Sequence, residues 1–378
     1  MALRGARPAE DGWEDGSAAP AAADVRVHMT GSEWFSTTPG GLNRYFTDLF
    51  LALRDLPGVA VSASAFGRPA PGGASWGPVG GPTWRRALAA FTEQAPGREP
   101  HVLDRHFCLY GRSASGARGR NPLVVHFHGP WAAESRLAGS RGAALKYALE
   151  RIRYARADRY VVLSRRFGEL LVETYRVPER RVQVIPPGVE LERFQVAPAP
   201  GGPPTVLCVR RLERRMGIDV LLDAWPGVRA AHPDARLVIV GTGSEEASLR
   251  ERAARPDIAE TARLVGRVDD ETLTGLYSRA AVTVVPSVAL EGFGLIALES
   301  LAAGRAPVVT DCGGLPDAVQ GLDPSLVVRP GDGAALAERI SRALGGDVPA
   351  PRQCRAHAET FSWRLAAQRH AELYRDLL

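Results

Sequence analysis

Two glutamates pose the first chemical question. In EGFGLIALES, Glu291 and Glu299 flank seven residues, just after an apolar run that ends in Pro286 and Ser287. A helix starting near Gly294 turns its free backbone N–H groups and the positive end of its dipole toward whatever lies in front of it. Glu291 then sits at the helix mouth, and Glu299 about five residues in, roughly 7.5 Å along the axis. Ionised carboxylates accept hydrogen bonds and donate none. Two of them at different depths suit a ligand with two sets of vicinal hydroxyls, such as the hexose and the ribose of a nucleotide sugar. Phe293 stands between Gly292 and Gly294, which let the backbone approach such a ligand closely.

Other segments handle anions or protons. Arg211 lies in VRRLERRMG (209–217), directly after the apolar run TVLCV. In DCGGLPD (311–317), Gly313 and Gly314 open a short helix, an arrangement that leaves amides to cradle an anion. VGTGSEE (240–246) begins like a dinucleotide fingerprint, but Glu246 stands where a third glycine belongs, so it is weak evidence for an oxidoreductase. In LVVHFHGPW, His126 and His128 alternate onto one face of a strand. Zinc is the sharp alternative there. No further Cys or His stands close by in the sequence to complete a site, so no metal is expected.

These residues need a scaffold, and the second half supplies its rhythm. The apolar runs TVLCV, RLVIV, RLVGRV, VTVVPS, APVVT and SLVVRP alternate with helical segments such as SLRERAARP, DETLTGLYSRA, GLIALESLAAG and GAALAERISRAL. That is the beat of a doubly wound parallel sheet, which binds ligands at the carboxyl ends of its strands. The first half is similar in kind: VRVHMT, a glycine turn, the helix LNRYFTDLFLALRD, and the buried runs LVVHFHG and RYVVLS around the helix AALKYALERIRYARAD. Prolines in RVQVIPPGVELERF cannot pair within a sheet, so the boundary falls near Gly188, dividing residues 24–187 from 188–360. Residues 67–82, rich in Gly and Pro, read as a long mobile loop beside the cleft. Trp84, Arg85, Arg86 and Phe91 form a short amphipathic basic patch, read as a surface helix in preference to a membrane or acceptor contact.

The chain has 378 residues, 45% hydrophobic and 24% charged, which fits a globular protein of two domains. The net charge of +5 is scattered among almost as many carboxylates, which argues against a nucleic-acid partner. Lys146 is the only lysine, so nearly all the positive charge is guanidinium. Four cysteines without a CxxC pair fit a reducing, cytoplasmic compartment. No apolar run approaches the ~20 residues of a membrane helix, and residues 1–23 read as a disordered leader or an upstream start.

Together the motifs resemble the family 4 retaining glycosyltransferases, whose hallmark is Glu, seven residues, Glu; the likeness runs from about residue 24 to the end. The resemblance implies the α/β GT-B fold, two Rossmann-like doubly wound parallel-sheet domains facing across a cleft, with residues 361–378 as a helix crossing back to the first. It implies a nucleoside diphosphate sugar, UDP or GDP, as co-substrate, with no bound cofactor. The acceptor would be a hydroxyl of a small soluble molecule such as a specialised metabolite. Glu299 would hold the ribose, and Glu291 the donor sugar and the positive charge at its anomeric carbon. Phe293, Gly294 and Leu295 at the helix mouth, His128, Gly41 and Gly241 would also meet the donor. The backbone of Gly266, Arg267 and Val268 would meet the base, and Gly313 and Gly314 the diphosphate. Asn43 and Arg44, on the first turn of a helix, would meet the acceptor.

The family pattern Gly-Arg-Leu, then Lys-Gly, places Arg211 on the diphosphate but finds Met216 where the lysine belongs. Arg215, with Arg214 second, is the expected replacement, since residues four apart share a helix face. The mechanism implied is metal-independent front-side substitution with retention. A pyridoxal-dependent phosphorylase would need its lysine in the second half, and Lys146 is in the first. A nucleotide-sugar 2-epimerase and a non-catalytic nucleotide-sugar-binding protein are the alternatives.

Overall fold

The alternation of apolar runs and amphipathic helices becomes two parallel sheets in a computed structural model describing residues 24–93, 99–112, 115–116, 119–137, 139, 142–197 and 201–378. The leader expected over residues 1–23 lies outside the described residues.

The first sheet begins with β1 (Val25–Glu33), β2 (Val59–Phe66), β3 (Ala74–Ser75) and β4 (Val102–Arg105). β5 (Ser115–Gly116) and β6 (Gly119–Arg120) pair with each other, antiparallel. β7 (Leu123–Phe127), β8 (Arg159–Val162) and β9 (Val182–Val184) complete a seven-stranded parallel sheet in the order β3-β2-β1-β4-β7-β8-β9. Every residue of β4 and β7 is buried, as continuous runs become when helices cover both faces. The helices are α1 (Gly41–Arg54), α2 (Thr83–Phe91), α3 (Trp131–Leu137), α4 (Ala143–Tyr154) and α5 (Arg165–Tyr175). α1 buries Tyr45, Phe46, Leu49, Phe50 and Leu53, spaced by three and four, and Phe46 packs 5.1 Å from the ring of Trp34. α2 lies on the surface with Trp84 and Phe91 more than half exposed, while Arg86 turns inward to Glu33 at 2.7 Å.

Residues 67–82 form the loop expected of them apart from the short strand β3. β3 pairs with Ser64 and Ala65 of β2, and Trp34 Nε1 donates to the Ala74 carbonyl at 2.9 Å, so a buried indole pins the segment to the sheet edge.

The second sheet comprises β10 (Thr205–Val209), β11 (Arg236–Val240), β12 (Ala262–Gly266), β13 (Ala280–Val285), β14 (Pro307–Thr310) and β15 (Val327–Val328), in the order β12-β11-β10-β13-β14-β15. Its helices are α6 (Ile218–Ala231), α7 (Glu246–Ala253), α8 (Asp270–Arg279), α9 (Leu295–Ala302), α10 (Leu315–Val319), α11 (Gly333–Leu344) and α12 (Pro351–Glu359). The run SLVVRP yields only a two-residue strand, because Pro324–Leu326 forms a 3₁₀ turn. In both sheets the strand order reverses beside the first strand, between β1 and β4 and between β10 and β13. Such reversals open crevices at the carboxyl ends.

The last helix, α13 (Trp363–Arg375), packs on α1 and β1 of the first domain, and Tyr374 Oη donates to Asp104 Oδ2 at 2.7 Å. At its start the chain meets the linker: Val189 bridges to Ser362, and a Cβ on Gly188 would lie 2.3 Å from Trp363 N. Among the described residues, no helix is long and apolar enough to cross a membrane.

Candidate functional site

The two crevices face each other across a cavity of about 1120 Å³. Of the residues singled out from the sequence, Gly41, Asn43, Arg44 and His128 line it from the first domain. From the second come Arg211, Arg215, Gly241, Arg267, Val268, Glu291, Phe293, Gly294, Leu295 and Glu299.

Glu299, in the second turn of α9, is 6% exposed, and Tyr277 Oη donates to its Oε2 at 3.1 Å. Burial pushes its carboxyl upward, with Arg44 and Arg193 opposing. A small cavity behind it is lined by Arg44, Asp48 and Glu190. Asp48 there is pushed up to about 7, first by burial and then by Glu190. Gly294 caps α9 at φ 87°, and a Cβ there would lie 2.3 Å from Leu315 Cδ2, so the helix mouth needs glycine twice over.

Glu291 follows Leu290, whose φ of 49° is left-handed, uncommon backbone for a leucine. Its carboxylate is ion-paired with Arg210 and accepts from Ser287 Oγ at 3.2 Å. Burial works against the charge, but Arg210, then Arg215 and Ser287, outweigh it and hold the carboxyl below its usual range. Arg210 was not singled out from the sequence. The signal available was its place immediately after β10, at the carboxyl end of the central strand, with Ser287 just past the neighbouring β13.

The phosphate elements divide. Arg211 is exposed on the cleft wall, and its guanidinium has no hydrogen-bond or ion-pair partner among the described residues. Arg215 does not share a helix face with Arg211, because only Arg214–Met216 form a single 3₁₀ turn. Its guanidinium donates to the Leu290 carbonyl at 2.8 Å and pairs with Glu134 of the first domain at 3.3 Å, while Arg214 is exposed away from the cleft.

Gly313 and Gly314, expected at the diphosphate, pack against the Glu291 turn. The Gly314 amide donates to the Glu291 carbonyl at 3.0 Å, and neither glycine lines the cavity. A Cβ on Gly313 would lie 1.8 Å from that same carbonyl oxygen, so the pair seats the Glu291 turn. Gly266 also stays off the lining; its carbonyl accepts from the Gly241 amide at 2.8 Å, which shapes the neighbouring wall. Asp317 reaches across to the first domain, accepting from Arg165 N at 3.3 Å.

On the facing side, Asn43 Nδ2 donates to the Thr38 carbonyl at 2.8 Å, closing the loop before α1, and Arg44 lies 4.2 Å over the Phe35 ring. His128 is joined by a residue the spacing along the chain could not show. His106, just past β4, approaches its Nε2 at 3.4 Å, and His106 and His126 both contact the Asp104 carboxylate, at 3.1 and 3.0 Å. Burial would raise the Asp104 carboxyl, but His126 and His106 outweigh it and hold it well below the usual range. Burial lowers His126 to about 4 and holds His128 well below the usual imidazole range.

Three imidazoles this close raise the question of a metal. The His106 and His126 rings stack at 3.8 Å with planes only 19° apart, and the His128 plane lies within 22° of both. Ligand lone pairs lie in the ring planes, and nearly parallel planes do not meet at one ion. The cluster fits ring stacking around Asp104, not chelation.

Comparison with known proteins agrees with this geometry. The glycosyl transferases group 1 family matches residues 190–361, and Glycosyltransferase Family 4 matches residues 39–193. The D-inositol 3-phosphate glycosyltransferase 1 of Catenulispora acidiphila is 33% identical over 326 residues, covering 78% of this chain and 77% of that protein. The glycogen synthase of Mycobacterium tuberculosis is 30% identical over 262 residues, covering 67% of this chain and 63% of the synthase, less than two thirds of its length. The sucrose-phosphate synthase of Thermosynechococcus elongatus superposes with a TM-score of 0.74 at 22% identity, over 93% of this chain and 99% of that one. Two facing parallel-sheet domains, the paired glutamates and these matches lead to one assignment: the chain belongs to the family 4, group 1 glycosyltransferases and has the GT-B fold.

Proposed function

We propose that this protein moves a hexose-type sugar from a nucleoside diphosphate donor, UDP- or GDP-linked, to a hydroxyl of a small soluble acceptor, with retention and without a metal ion. The observation that carries this reading is the pair Glu291 and Glu299 at two depths of one cleft, at the mouth of α9. Glu299 has lone pairs left after Tyr277 for a ribose diol. Arg211 and the other guanidiniums beside it offer the fixed positive charge that a departing diphosphate needs, the role a divalent ion would otherwise fill.

The acceptor oxygen bonds to the anomeric carbon on the face from which the diphosphate leaves with its electron pair, and a phosphate oxygen takes the acceptor proton. Front-side substitution is favoured because Glu291 is tied to Arg210 and Ser287 and makes a poor covalent nucleophile. The four cysteines are all free and buried, which fits a cytoplasmic site of action.

The test is titration of the purified protein with UDP- and GDP-sugars, then product analysis by mass spectrometry and NMR with and without EDTA. An α-linked product from an α-linked donor, formed equally in EDTA, supports the reading. An inverted product or loss of turnover in EDTA overturns the mechanism. Binding without turnover by any acceptor points to a non-catalytic protein, and donor conversion with no acceptor to an epimerase.

A further inference from the structure

Met216, which leaves the lysine position without a cation, touches one supplied from elsewhere. It is 4% exposed, and its Sδ lies 2.7 Å from Nη2 of Arg210. The same nitrogen donates to Ser287 Oγ at 2.6 Å and meets the Glu291 carboxylate. A lysine ammonium at position 216 would stand two bonds beyond the place of that sulfur, about 2.5 Å away by ordinary covalent geometry. Nη2 of Arg210 lies at nearly the same distance from that sulfur, so the ammonium would stand beside an existing cation.

From this we infer that Arg210 and Met216 are an exchanged pair. The strand end at 210, where the resembled pattern has glycine, supplies the positive charge of the leaving-group site, and position 216 is neutral because two cations cannot share the place. The inference rests on the reading of the ligand as a nucleoside diphosphate sugar.

Three features support it. Arg210 lines the cavity beside Arg211, so the two guanidiniums flank one region of it. All of its side-chain partners engage Nη2; Nε is buried, and Nη1 has no partner among the described residues, which leaves its N–H groups for phosphate oxygens. Arg215, the other candidate, is already committed to the Leu290 carbonyl and Glu134. It is a positioning residue: it braces the left-handed Leu290, and its own carbonyl accepts from Val288 N at 2.9 Å. Gly217 completes the fit. At φ 67° it presses the turn against Pro286, where a Cβ would lie 2.0 Å from the carbonyl oxygen. Met216 is thereby held against the loop that carries Ser287 and Glu291.

The experiment is a four-member cycle on the full chain: wild type, R210G, M216K and R210G/M216K. Binding of UDP and GDP is measured by calorimetry, with uridine and guanosine as phosphate-free controls. The better-bound diphosphate should lose at least tenfold in affinity in R210G, while its nucleoside is unchanged. M216K, which crowds two cations, should also weaken the diphosphate. The double variant should return to within about threefold of wild type. R210Q keeps most of the volume and a donor to Ser287; if R210G does not fold, it should show the same loss. Wild-type diphosphate affinity in R210G or R210Q, or a double variant no better than R210G, overturns the exchange and leaves the donor assignment standing. Wild-type protein that binds neither UDP nor GDP overturns the donor reading and the exchange with it.

Discussion

The two domains open equivalent crevices, at the same reversal of strand order, and furnish them in opposite ways. In the second domain Arg210, Ser287 and Glu291 meet as a charged set, with both ions largely out of water. In the first, the rings of His106, His126 and His128 stack around one carboxylate. Both arrangements bury polar groups, yet the second domain sets opposite charges against each other, while the first packs aromatic rings about a single carboxylate.

That contrast can be broken from either side. The largest effect is expected from Glu291→Ala, which leaves the Arg210 guanidinium buried without its ion. Urea unfolding should register a loss of about 3 to 5 kcal/mol, and an unchanged midpoint would show that the pair is not compensating burial. In the first domain, Asp48 of α1 has its carboxyl raised to about 7 by burial, above its unfolded value near 3.9. A raised folded pKa means that the group favours the folded state below pH ~4, and that this contribution is lost as the pH climbs to about 7. Asp48→Asn, which keeps the neutral form, should raise stability at pH 8 by about 2 to 4 kcal/mol and flatten the slope between pH 4 and 7; an unaltered slope in thermal melts would remove Asp48 from the account.

Smaller changes sharpen the comparison. Glu299→Ala should weaken binding of the nucleotide by about 1.5 to 3 kcal/mol, the value of a hydrogen bond to a charged group, and equal calorimetric affinity would sink the ribose assignment. Arg215→Ala should lower kcat by about tenfold (about 1.4 kcal/mol), with less change in KM, because it loosens the Leu290 turn while ground-state contacts persist. A rise in KM at constant kcat would make Arg215 a direct ligand instead.

How much of this is legible in the sequence follows from distance along the chain. Glu291, Gly294 and Glu299 lie within nine residues, so helix geometry alone relates them, and the strand rhythm of the second half gives its sheet. Arg210 meets Ser287 and Glu291 across 77 and 81 residues, through a reversal of strand order that periodicity does not reveal. Tyr374 meets Asp104 across 270 residues, and His128 meets His106 across 22. Gly313 and Gly314 are legible in another way: a double glycine before a helix signals close approach, and the group that approaches them is the protein's own Glu291 carbonyl. The glycine and proline content of residues 67–82 signals the loop and takes no account of a distant indole such as Trp34.

The chain passes between the two domains twice, once on the way out and once on the way back, and the two passages touch where Val189 meets Ser362. Bodies joined by two adjacent threads rotate about the line of those threads and resist sliding past each other. Any closure of the cleft would therefore turn like covers about a spine, along a seam that lies at one edge, beside Glu299.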